Sequence, residues 1–464
     1  MRSSRNTALA MAGVLSLGLL AACGQGDGQG AAATSAAPGD EKVTITVAGL
    51  LPGAEQDAVD ALDKRVTEFE AKYPNITVEP QEYQWLATTF AANLAGGTLP
   101  TVFEIPVTDG KTLIENGQLA DIDAQVKALP YADQFNDAVV ANAKGADGKF
   151  YAVPAKSFYS VALHYNRNLF TQAGLDPDKP PTTWDEVRKD AKIIHDKTGV
   201  YGYGMMALDN SGGWQLTAAA NSRGGVVQKT NADGTYTATL NDPAVAKHLE
   251  WLKALRWEDN SIYPDGTLGW AEINQAFGGG QLAMYTSGSD VYTALVQNQA
   301  LNADWGYGLT AIPTENGGGA LGGGTLAAVK VQATDAEKDA AVKWIDFWYL
   351  SKLLDEGQAV ADAKINFDSG QAVGTPVLPI FSEEQWNTSM GWIKDYVNVP
   401  LKDMTGYTDK MFSQKLIGEP SASTQDTYAL LFPIVQAVLS DQNADVDTLL
   451  ADANTQGQAL LDQS

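Results

Sequence analysis

The amino-acid sequence predicts an α/β fold with two domains, and two observations support that prediction. Segments rich in β-branched residues alternate with segments whose apolar residues recur at helical spacing, which is typical of sheets whose strands are connected by helices. About 420 residues follow the first 42, and a single hydrophobic core rarely serves a chain of that length. In such a fold, ligands are expected in the loops beyond the strand ends.

The first part of the chain shows the alternation most clearly. Residues 43–48 form a β-branched run, and apolar residues between Val59 and Phe69 recur at helical spacing. The same reasoning then predicts, in order, a strand at 75–78, a helix near 86–94, a strand around 102–105 and a helix near 110–115.

A second series of elements follows Pro154. It includes a strand at 159–165 and a helix that begins after the Pro180-Pro181-Thr182-Thr183 run. Asp242-Pro243 predicts another helix start, and Thr334 with Glu337 predicts a capping box. Residues 427–461 are helical in pattern.

The N-terminus has the organisation of a secretory signal. Arg2 and Arg5 precede an apolar run over residues 8–20, which is too short to span a membrane comfortably. The run ends in Leu20-Ala21-Ala22-Cys23, which resembles the lipobox of bacterial lipoproteins, whose cysteine is acylated and begins the mature chain. This predicts a signal peptide at 1–22 and, through acylated Cys23, attachment to a lipid bilayer. An ordinary signal with a cysteine nearby by chance is the alternative.

The segment after Cys23 is rich in Gly, Ala and Ser and lacks hydrophobic periodicity, so residues 23–42 are predicted to form a lipidated, flexible tether. The chain has no second cysteine with which to form a disulfide. Removing Arg2 and Arg5 leaves 29 basic and 56 acidic residues, a formal net charge of −27. Such a charge disfavours nucleic acid, polyanions and anionic lipid as partners, whereas a neutral small molecule is unaffected by it.

Six segments together resemble the extracellular solute-binding lipoproteins of bacterial ABC sugar importers, the family that includes maltose-binding protein. They occur in the order of that family across most of the chain, and their order and spacing make the resemblance specific. The segments are FEAKYPNITVE (69–79), LPTVFE with NGQLADID (99–123), DGKFYAVP (147–154), HYNRNLFTQAGLDPDKPPTTWDE (164–186), QLAMYTSG (281–288) and LGGGTLAAVK (321–330). Pro100-Thr101 departs from the Pro-Asp that the family often has at a strand start.

The resemblance implies a two-lobe, type II periplasmic-binding-protein fold whose lobes are joined by a hinge of three crossings, with the ligand cleft between them. On this basis residues 43–154 plus 313–376 are expected to form lobe 1, and residues 155–312 plus 377–464 to form lobe 2. The implied partners are a small-molecule carbohydrate and the transmembrane subunits of an ABC permease. A monomer without a cofactor, held at the extracellular face of the cell membrane, is expected.

A sugar presents hydroxyls at its rim and C–H patches on its faces, so its site needs polar acceptors and aromatic planes. The candidate hydroxyl partners are Gln84, Glu104, Thr108, Asp109 and Asp290, and the candidate planes are Tyr83, Trp214 and Trp392. The resemblance adds Gly323 and Gly324, whose bare backbone would let amides approach a ligand.

Each candidate has a structural alternative. Trp214 follows two glycines in a predicted loop, and core burial is its other interpretation; Trp386 competes with Trp392. Tyr83 could complete the core of lobe 1, and the segment after the strand at 102–105 could be a solvated loop. At Asp290 the family frequently has an aromatic residue, and the run Gly322-Gly323-Gly324 could be a surface hairpin.

Two other classes of function were weighed. A secreted glycosidase would need a catalytic motif, but the chain has no Gly-x-Ser-x-Gly sequence, and its three histidines, His164, His195 and His248, are too far apart in sequence for a metal motif. We therefore expect no enzyme activity. The same fold could instead bind a peptide, an amino-acid derivative or a polyamine, since a cationic ligand would suit the acidic chain.

Overall fold

The computed structural model describes residues 42–264, 266–299, 301 and 303–462. The predicted signal peptide, Cys23 and the predicted tether up to Glu41 lie outside the described residues. None of the described helices is both long and apolar enough to cross a membrane.

The strands of the described chain are β1 (Val43–Ala48), β2 (Ile76–Gln81), β3 (Val102–Pro106), β4 (Ala152–Asn166), β5 (Gln228–Thr230), β6 (Tyr236–Ala238), β7 (Met284–Gly288), β8 (Tyr307–Ala311), β9 (Ala320–Val329) and β10 (Leu416–Gly418).

The α-helices are α1 (Gln56–Lys72), α2 (Ala87–Gly96), α3 (Val107–Glu115), α4 (Asp123–Lys127), α5 (Asp137–Val140), α6 (Arg167–Ala173), α7 (Trp184–Thr198), α8 (Asp209–Ser222), α9 (Pro243–Lys253), α10 (Trp270–Gly278), α11 (Val291–Gln299), α12 (Asp335–Ile345), α13 (Glu356–Asp368), α14 (Glu383–Ile393), α15 (Thr405–Thr408), α16 (Thr424–Ser440) and α17 (Val446–Leu461). Two π-helical segments, Ala254–Glu258 and Asp346–Leu350, continue α9 and α12. Short 3₁₀ turns lie at Ala141–Ala143, Ala303–Trp305, Ser351–Leu353, Lys394–Tyr396 and Leu401–Asp403.

One strand, β4, runs through both halves of the main sheet. β1 pairs in parallel with β2 and β3, and β3 is antiparallel to β9, which is antiparallel to the first half of β4. The second half of β4 lies between β7 and β8, antiparallel to both. The pairing of β4 with β9 shifts register between Ala155 and Phe158. Such an irregularity bends a strand locally, and it lies midway along β4.

Separate clusters of buried side chains flank these two halves of the sheet. Around β1, β2 and β3, Phe69 packs edge-on against Trp344 and Phe347, with ring centroids 5.2 and 5.4 Å apart. Around the second half of β4, the helices α7, α8, α9 and α16 form another core in which Trp184 and Trp251 pack edge-on at 5.1 Å.

Most of the predicted elements are confirmed, with shifts at their ends. The strand predicted at 159–165 is the second half of the longer β4, and the helix predicted near 110–115 begins at Val107. Asp242 caps α9, and Thr334 with Glu337 forms the predicted capping box of α12. The helical pattern over 427–461 is two helices, because α16 ends at Ser440 and α17 begins at Val446.

Two local predictions were wrong. Trp214 lies inside helix α8, not in a loop, and the glycine run at 322–324 lies inside strand β9, not between strands. In both places the glycines looked like flexible turn residues in the sequence. The structure shows that they allow close packing, as described below.

Candidate functional site

Glu104, on strand β3, is held by two tyrosines. Its backbone carbonyl accepts a hydrogen bond from Tyr83 Oη at 2.7 Å, and its carboxylate accepts one from Tyr349 Oη at 2.6 Å. Tyr349 belongs to the π-helical segment after α12. Burial, followed by the negative charge of Glu104, raises the pKa of both tyrosines, so both hydroxyls stay protonated and remain donors. Tyr83 and Glu104 thus lie together, and Tyr83 also packs against a hydrophobic cluster, as its structural alternative required; ligand contacts of both residues stay predictions.

Thr108 and Asp109 lie in the first turn of α3, where they meet α16. Thr108 Oγ1 donates to Asp109 Oδ1 at 3.2 Å, and Gln425 Nε2 lies 3.3 Å from Thr108 Oγ1 and 3.4 Å from Asp109 Oδ1. Asn210 on α8 donates to the backbone oxygen and to Oε1 of Gln425, both at 2.9 Å. Gln425 therefore connects α3, which follows β3, with α8.

The carboxyl group of Asp109 is perturbed by its surroundings. Burial raises its pKa to about 6, although hydrogen bonds from Thr108, Gln425 and Trp85 act in the opposite direction. The carboxylate is therefore mostly ionised at neutral pH, but it is a stronger base than a solvated aspartate.

Trp214 points its indole N–H at a carboxyl group that the sequence analysis did not select. Trp214 Nε1 donates to Glu419 Oε1 at 3.1 Å, and the indole packs edge-on against Tyr159 with centroids 6.2 Å apart. Burial and the charge of Asp109 together raise the pKa of Glu419 to about 8, against the opposing effect of the hydrogen bond from Trp214. Asp109 is thus close enough to Glu419 for its charge to raise the pKa of Glu419.

The glycines before Trp214 allow helix α8 to lie directly on helix α16. A Cβ atom added to Gly213 would lie 2.2 Å from the backbone oxygen of Tyr428, and one added to Gly212 would lie 3.0 Å from Phe432 Cβ. Because Gly213 meets backbone, a larger residue cannot be accommodated by a side-chain rotation. This contact fixes the position of Trp214 relative to α16.

Gly323 and Gly324 are covered by aromatic rings from the neighbouring strand. Gly323 pairs with Tyr159 and Gly324 with Phe158. An added Cβ would lie 2.6 Å from Tyr159 Oη at Gly323 and 2.9 Å from Phe158 Cζ at Gly324. The missing side chains let both rings lie on β9, which places Tyr159 beside Trp214. A ligand contact to these two glycines stays a prediction.

Asp290 lies in the turn after β7, on the same side as Tyr159. Its Oδ1 would lie 2.5 Å from a Cβ atom on Gly288, and the same Cβ would lie 3.1 Å from the ring of Tyr159. The charge of Asp290 also contributes to the raised pKa values of Tyr159 and Tyr407. Asp290 is therefore close to the group around Trp214.

For two candidates, Gln84 and Trp392, the structure shows no hydrogen bond or ring contact with Trp214, Asp109 or Glu419 among the described residues. Gln84 is half-buried in the segment between Tyr83 and Trp85. Trp392 is half-buried on α14, a helix that packs against α13. Trp386 on the same helix packs edge-on against Phe412 at 5.5 Å. Ligand contacts of Gln84 and Trp392 stay predictions.

Six residues near the candidates were missed by the sequence analysis: Trp85, Tyr159, Tyr349, Glu419, Gln425 and Tyr428. Trp85 could have been found, since it directly follows Tyr83 and Gln84. Glu419 and Gln425 have no comparable signal, because they lie more than 300 residues from Asp109 along the chain.

Each of the three histidines packs against aromatic side chains. His164 and His248 are fully buried, and His164 Nδ1 lies 2.6 Å from Tyr307 Oη. His195 stacks on Tyr201 with centroids 5.2 Å apart. Within the described ranges, no three His, Cys, Asp or Glu side chains are grouped so that they could hold a metal ion.

The chain has the two-lobe fold of periplasmic binding proteins. Strand β4 belongs to both halves of its sheet, and aromatic and polar side chains meet between α3 and α8. Residues 64–359 match the family described as bacterial extracellular solute-binding protein. Because the match covers more than half of the chain, this protein belongs to that family.

Three relatives illustrate the similarity. The sn-glycerol-3-phosphate-binding periplasmic protein of Brucella melitensis is 23% identical over 387 residues, which cover 77% of this chain and 87% of the relative. The solute-binding protein of Thermotoga lettingae bound to α-D-tagatose superposes with a TM-score of 0.71 at 18% identity, covering 90% of this chain and 99% of the other. The cyclic α-maltosyl-1,6-maltose binding protein of Arthrobacter globiformis gives a TM-score of 0.61 at 22% identity, covering 91% and 100%.

Proposed function

We propose that this protein is the substrate-binding lipoprotein of a carbohydrate ABC importer and that it captures a mono- or oligosaccharide between its two lobes. The observation that carries the proposal is the meeting of aromatic planes and carboxylates from distant segments, namely Trp214 and Tyr159 with Asp109 and Glu419. Carboxylates accept charge-assisted hydrogen bonds from sugar hydroxyls, and aromatic rings pack on sugar faces. The carbohydrate class is supported by a structural neighbour bound to α-D-tagatose and by another named a cyclic α-maltosyl-1,6-maltose binding protein.

Capture by lobe closure follows from the proposed lobe limits, 43–154 plus 313–376 and 155–312 plus 377–464. Two hydrogen bonds support direct contact between these lobes: Glu55 N donates to Gln297 O at 2.8 Å, and Asn298 Nδ2 donates to Pro52 O at 3.2 Å. A ligand that contacts both lobes selects the closed form, because only that form satisfies both sets of contacts. An ATP-driven permease would then recognise the closed shape.

We further propose that acylated Cys23 holds the protein at the extracellular face of the cell membrane, where it works as a monomer without a cofactor. The supporting observation is the lipobox-like Leu20-Ala21-Ala22-Cys23 sequence after a short apolar run. Because the relatives are solute-binding proteins, we propose that the chain releases its ligand without chemical change.

A phosphorylated ligand such as the one named for the Brucella relative is less compatible with the site. Asp109 is mostly ionised at neutral pH, and a phosphate beside it would meet like charge. Among the described residues, no Lys or Arg forms an ion pair with Asp109 or Glu419. We therefore favour a ligand without a phosphate at this position.

Fluorescence titration tests the proposal. Full-length protein is titrated with mono- and oligosaccharides while tryptophan emission is followed and products are analysed. We expect a saturable change without turnover, at micromolar affinity, which corresponds to about −8 kcal/mol. If no glycan changes the emission, the carbohydrate proposal fails, and conversion of a bound glycan would restore the enzyme alternative.

Trp214→Ala is the sharpest variant for this proposal. Loss of the indole face and of the hydrogen bond to Glu419 is expected to weaken glycan binding at least tenfold, which is about 1.4 kcal/mol. Trp257→Ala is the matched control, because Trp257 is also half-buried but donates to Val438 O, away from Asp109 and Glu419. Equal affinities of the two variants would assign Trp214 to the core.

A further inference from the structure

Asp109 and Glu419 are neighbouring carboxyl groups without a basic partner in the described part of the chain. The deeply buried arginines show the usual arrangement: Arg65 forms ion pairs with Glu68 and Asp362, and Arg223 pairs with Glu315 at 2.7 Å. The hydrogen-bond partners of Asp109 and Glu419 are instead neutral donors, which are Thr108 and Gln425 for Asp109 and Trp214 for Glu419. Neutral donors compensate the charge of a buried carboxylate only in part, and they would do so less well if both carboxyl groups were ionised.

Aromatic rings border the Glu419 side of this pair. Trp214 donates to Glu419, and Tyr159 packs edge-on against Trp214. Tyr428 lies close to Glu419, because burial and the charge of a Glu419 carboxylate raise the pKa of its hydroxyl. Tyr428 is 2% exposed, and its hydroxyl has no hydrogen-bond partner among the described groups. A buried polar atom without a partner is costly, so its place next to Glu419 indicates a position where a ligand supplies the missing contact.

Burial and the charge of Asp109 explain why Glu419 holds a proton, and four side chains face its carboxyl group. They are Asp109 on α3, Tyr159 on β4 and Tyr428 on α16, together with the neutral indole of Trp214. Burial and the charge of Asp109 raise the pKa of Glu419 to about 8, so its carboxyl group is mostly protonated at pH 7. A cation placed between the two carboxyl groups would replace that proton and would also be attracted to the aromatic faces.

We propose that the ligand is a sugar that carries a protonated amine and that this amine binds between Asp109 and Glu419, against Trp214 and Tyr159. The proposal rests on the proposed function as a carbohydrate-binding protein and names the class of carbohydrate. An ammonium group donates three hydrogen bonds and accepts none, which matches two carboxyl groups that are both acceptors once Glu419 has lost its proton. A neutral hydroxyl at this position would leave the two carboxyl groups competing for one proton.

Calorimetric titration of the full-length protein with matched sugars tests the proposal. The probes are β-1,4-linked glucosamine di- and trisaccharides, their N-acetylated forms, and cellobiose and cellotriose, which differ chiefly in the group at carbon 2. We expect the free amines to bind at least tenfold more tightly than the other two series at pH 7. Equal affinity for amine and neutral sugars, or binding only of sugars without an amine, overturns the proposal. Failure of these sugars and of the wider mono- and oligosaccharide series used in the fluorescence titration overturns the proposed function itself.

Variants locate the amine. Asp109→Asn and Glu419→Gln, made separately in case one does not fold, are each expected to reduce the preference for the amine to less than threefold. Asp452→Asn is the control, because Asp452 is exposed on α17, and it is expected to retain the full preference. A preference that persists in both site variants would place the amine elsewhere and overturn the proposal.

Proton release provides a second readout that a merely structural role would not produce. Because the bound cation lowers the pKa of Glu419, the protein is expected to release up to about one proton when it binds a glucosamine oligosaccharide at pH 7, and this release is counted after correction for protons that the sugar amine takes up on binding. Titrations in phosphate and Tris, whose ionisation heats differ, measure that number. Glu419→Gln is expected to abolish the release, and a release that is unchanged in this variant contradicts the assignment.

Discussion

Glu419 is a carboxyl group whose pKa lies far above that of a solvated glutamate. It accepts a hydrogen bond from Trp214, and burial raises its pKa from 4.5 to about 8. Asp109 shows the same direction of shift for the same first cause. Two carboxyl groups that resist ionisation beside aromatic rings are poorly suited to stabilising the folded chain, so a role in binding is the better physical explanation.

The shift of Glu419 has a consequence for stability against pH. An acid whose pKa is higher in the folded than in the unfolded state stabilises the fold below the unfolded pKa and loses that contribution as pH rises through the folded pKa. For Glu419 the loss therefore falls between about pH 4.5 and 8. We expect Glu419→Gln to remove this part of the decline, so that the variant gains stability relative to the wild type when pH is raised from 5 to 8.

Urea unfolding at pH 5, 6.5 and 8 measures this effect for the wild type, Glu419→Gln and Asp452→Asn. At each pH, the free energy of unfolding of the variant is subtracted from that of the wild type, and the change of this difference with pH is the test. Its absolute value is not used, because the substitution also alters the hydrogen bond with Trp214. If the free energies of unfolding of the wild type and Glu419→Gln changed equally with pH, the pKa of Glu419 would not be raised in the folded state.

At the scale of elements, the close contact between α8 and α16 determines where Trp214 lies. Gly213 is the residue at which the two helices meet, with Tyr428 backbone on the other side. Sequence patterns readily located α9 and α12 by their caps, because caps are local features of the chain. A glycine that permits helix packing is indistinguishable in sequence from one that breaks a helix, so α8 was predicted as a loop.

Gly213→Ala tests this explanation. The added methyl group would lie 2.2 Å from a backbone oxygen, so α8 must move away from α16, and overpacking of this kind costs about 1 to 3 kcal/mol. Gly391→Ala is the matched control, because Gly391 also lies in a helix, α14, but has no neighbour within 4 Å of an added Cβ. Gly391→Ala is expected to raise the free energy of unfolding by up to about 1 kcal/mol, because alanine favours the helix more than glycine does. Urea unfolding measures both, and a neutral Gly213→Ala would contradict the packing argument.

At the scale of the whole molecule, Gln425 joins parts of the chain that the sequence keeps far apart. It bonds to Thr108 and Asp109 on α3 and receives two hydrogen bonds from Asn210 on α8. In the proposed closure mechanism, such a bridge favours the closed form. Its hydrogen bonds contribute about 0.5 to 1.5 kcal/mol each at most.

Gln425→Ala is therefore expected to weaken ligand binding about three- to tenfold with little change in the free energy of unfolding. Gln436→Ala on the same helix is the control, because Gln436 bonds to Gly266 O instead. Calorimetry gives the affinity, and small-angle X-ray scattering with and without a bound sugar gives the fraction of closed molecules. Loss of stability without loss of affinity would assign Gln425 a structural role only.

The sequence by itself determined the α/β class, the family resemblance and most element positions, because hydrophobic periodicity, helix caps and β-branched runs are local properties of the chain. It also selected Glu104, Asp109 and Trp214, which the structure brings near one another through Tyr83, Gln425 and Glu419. The tertiary structure decided the rest. The carboxyl pair of Asp109 and Glu419 and its unusual proton affinity arise from burial and from contacts between segments 310 residues apart, and neither property is encoded in the neighbouring sequence.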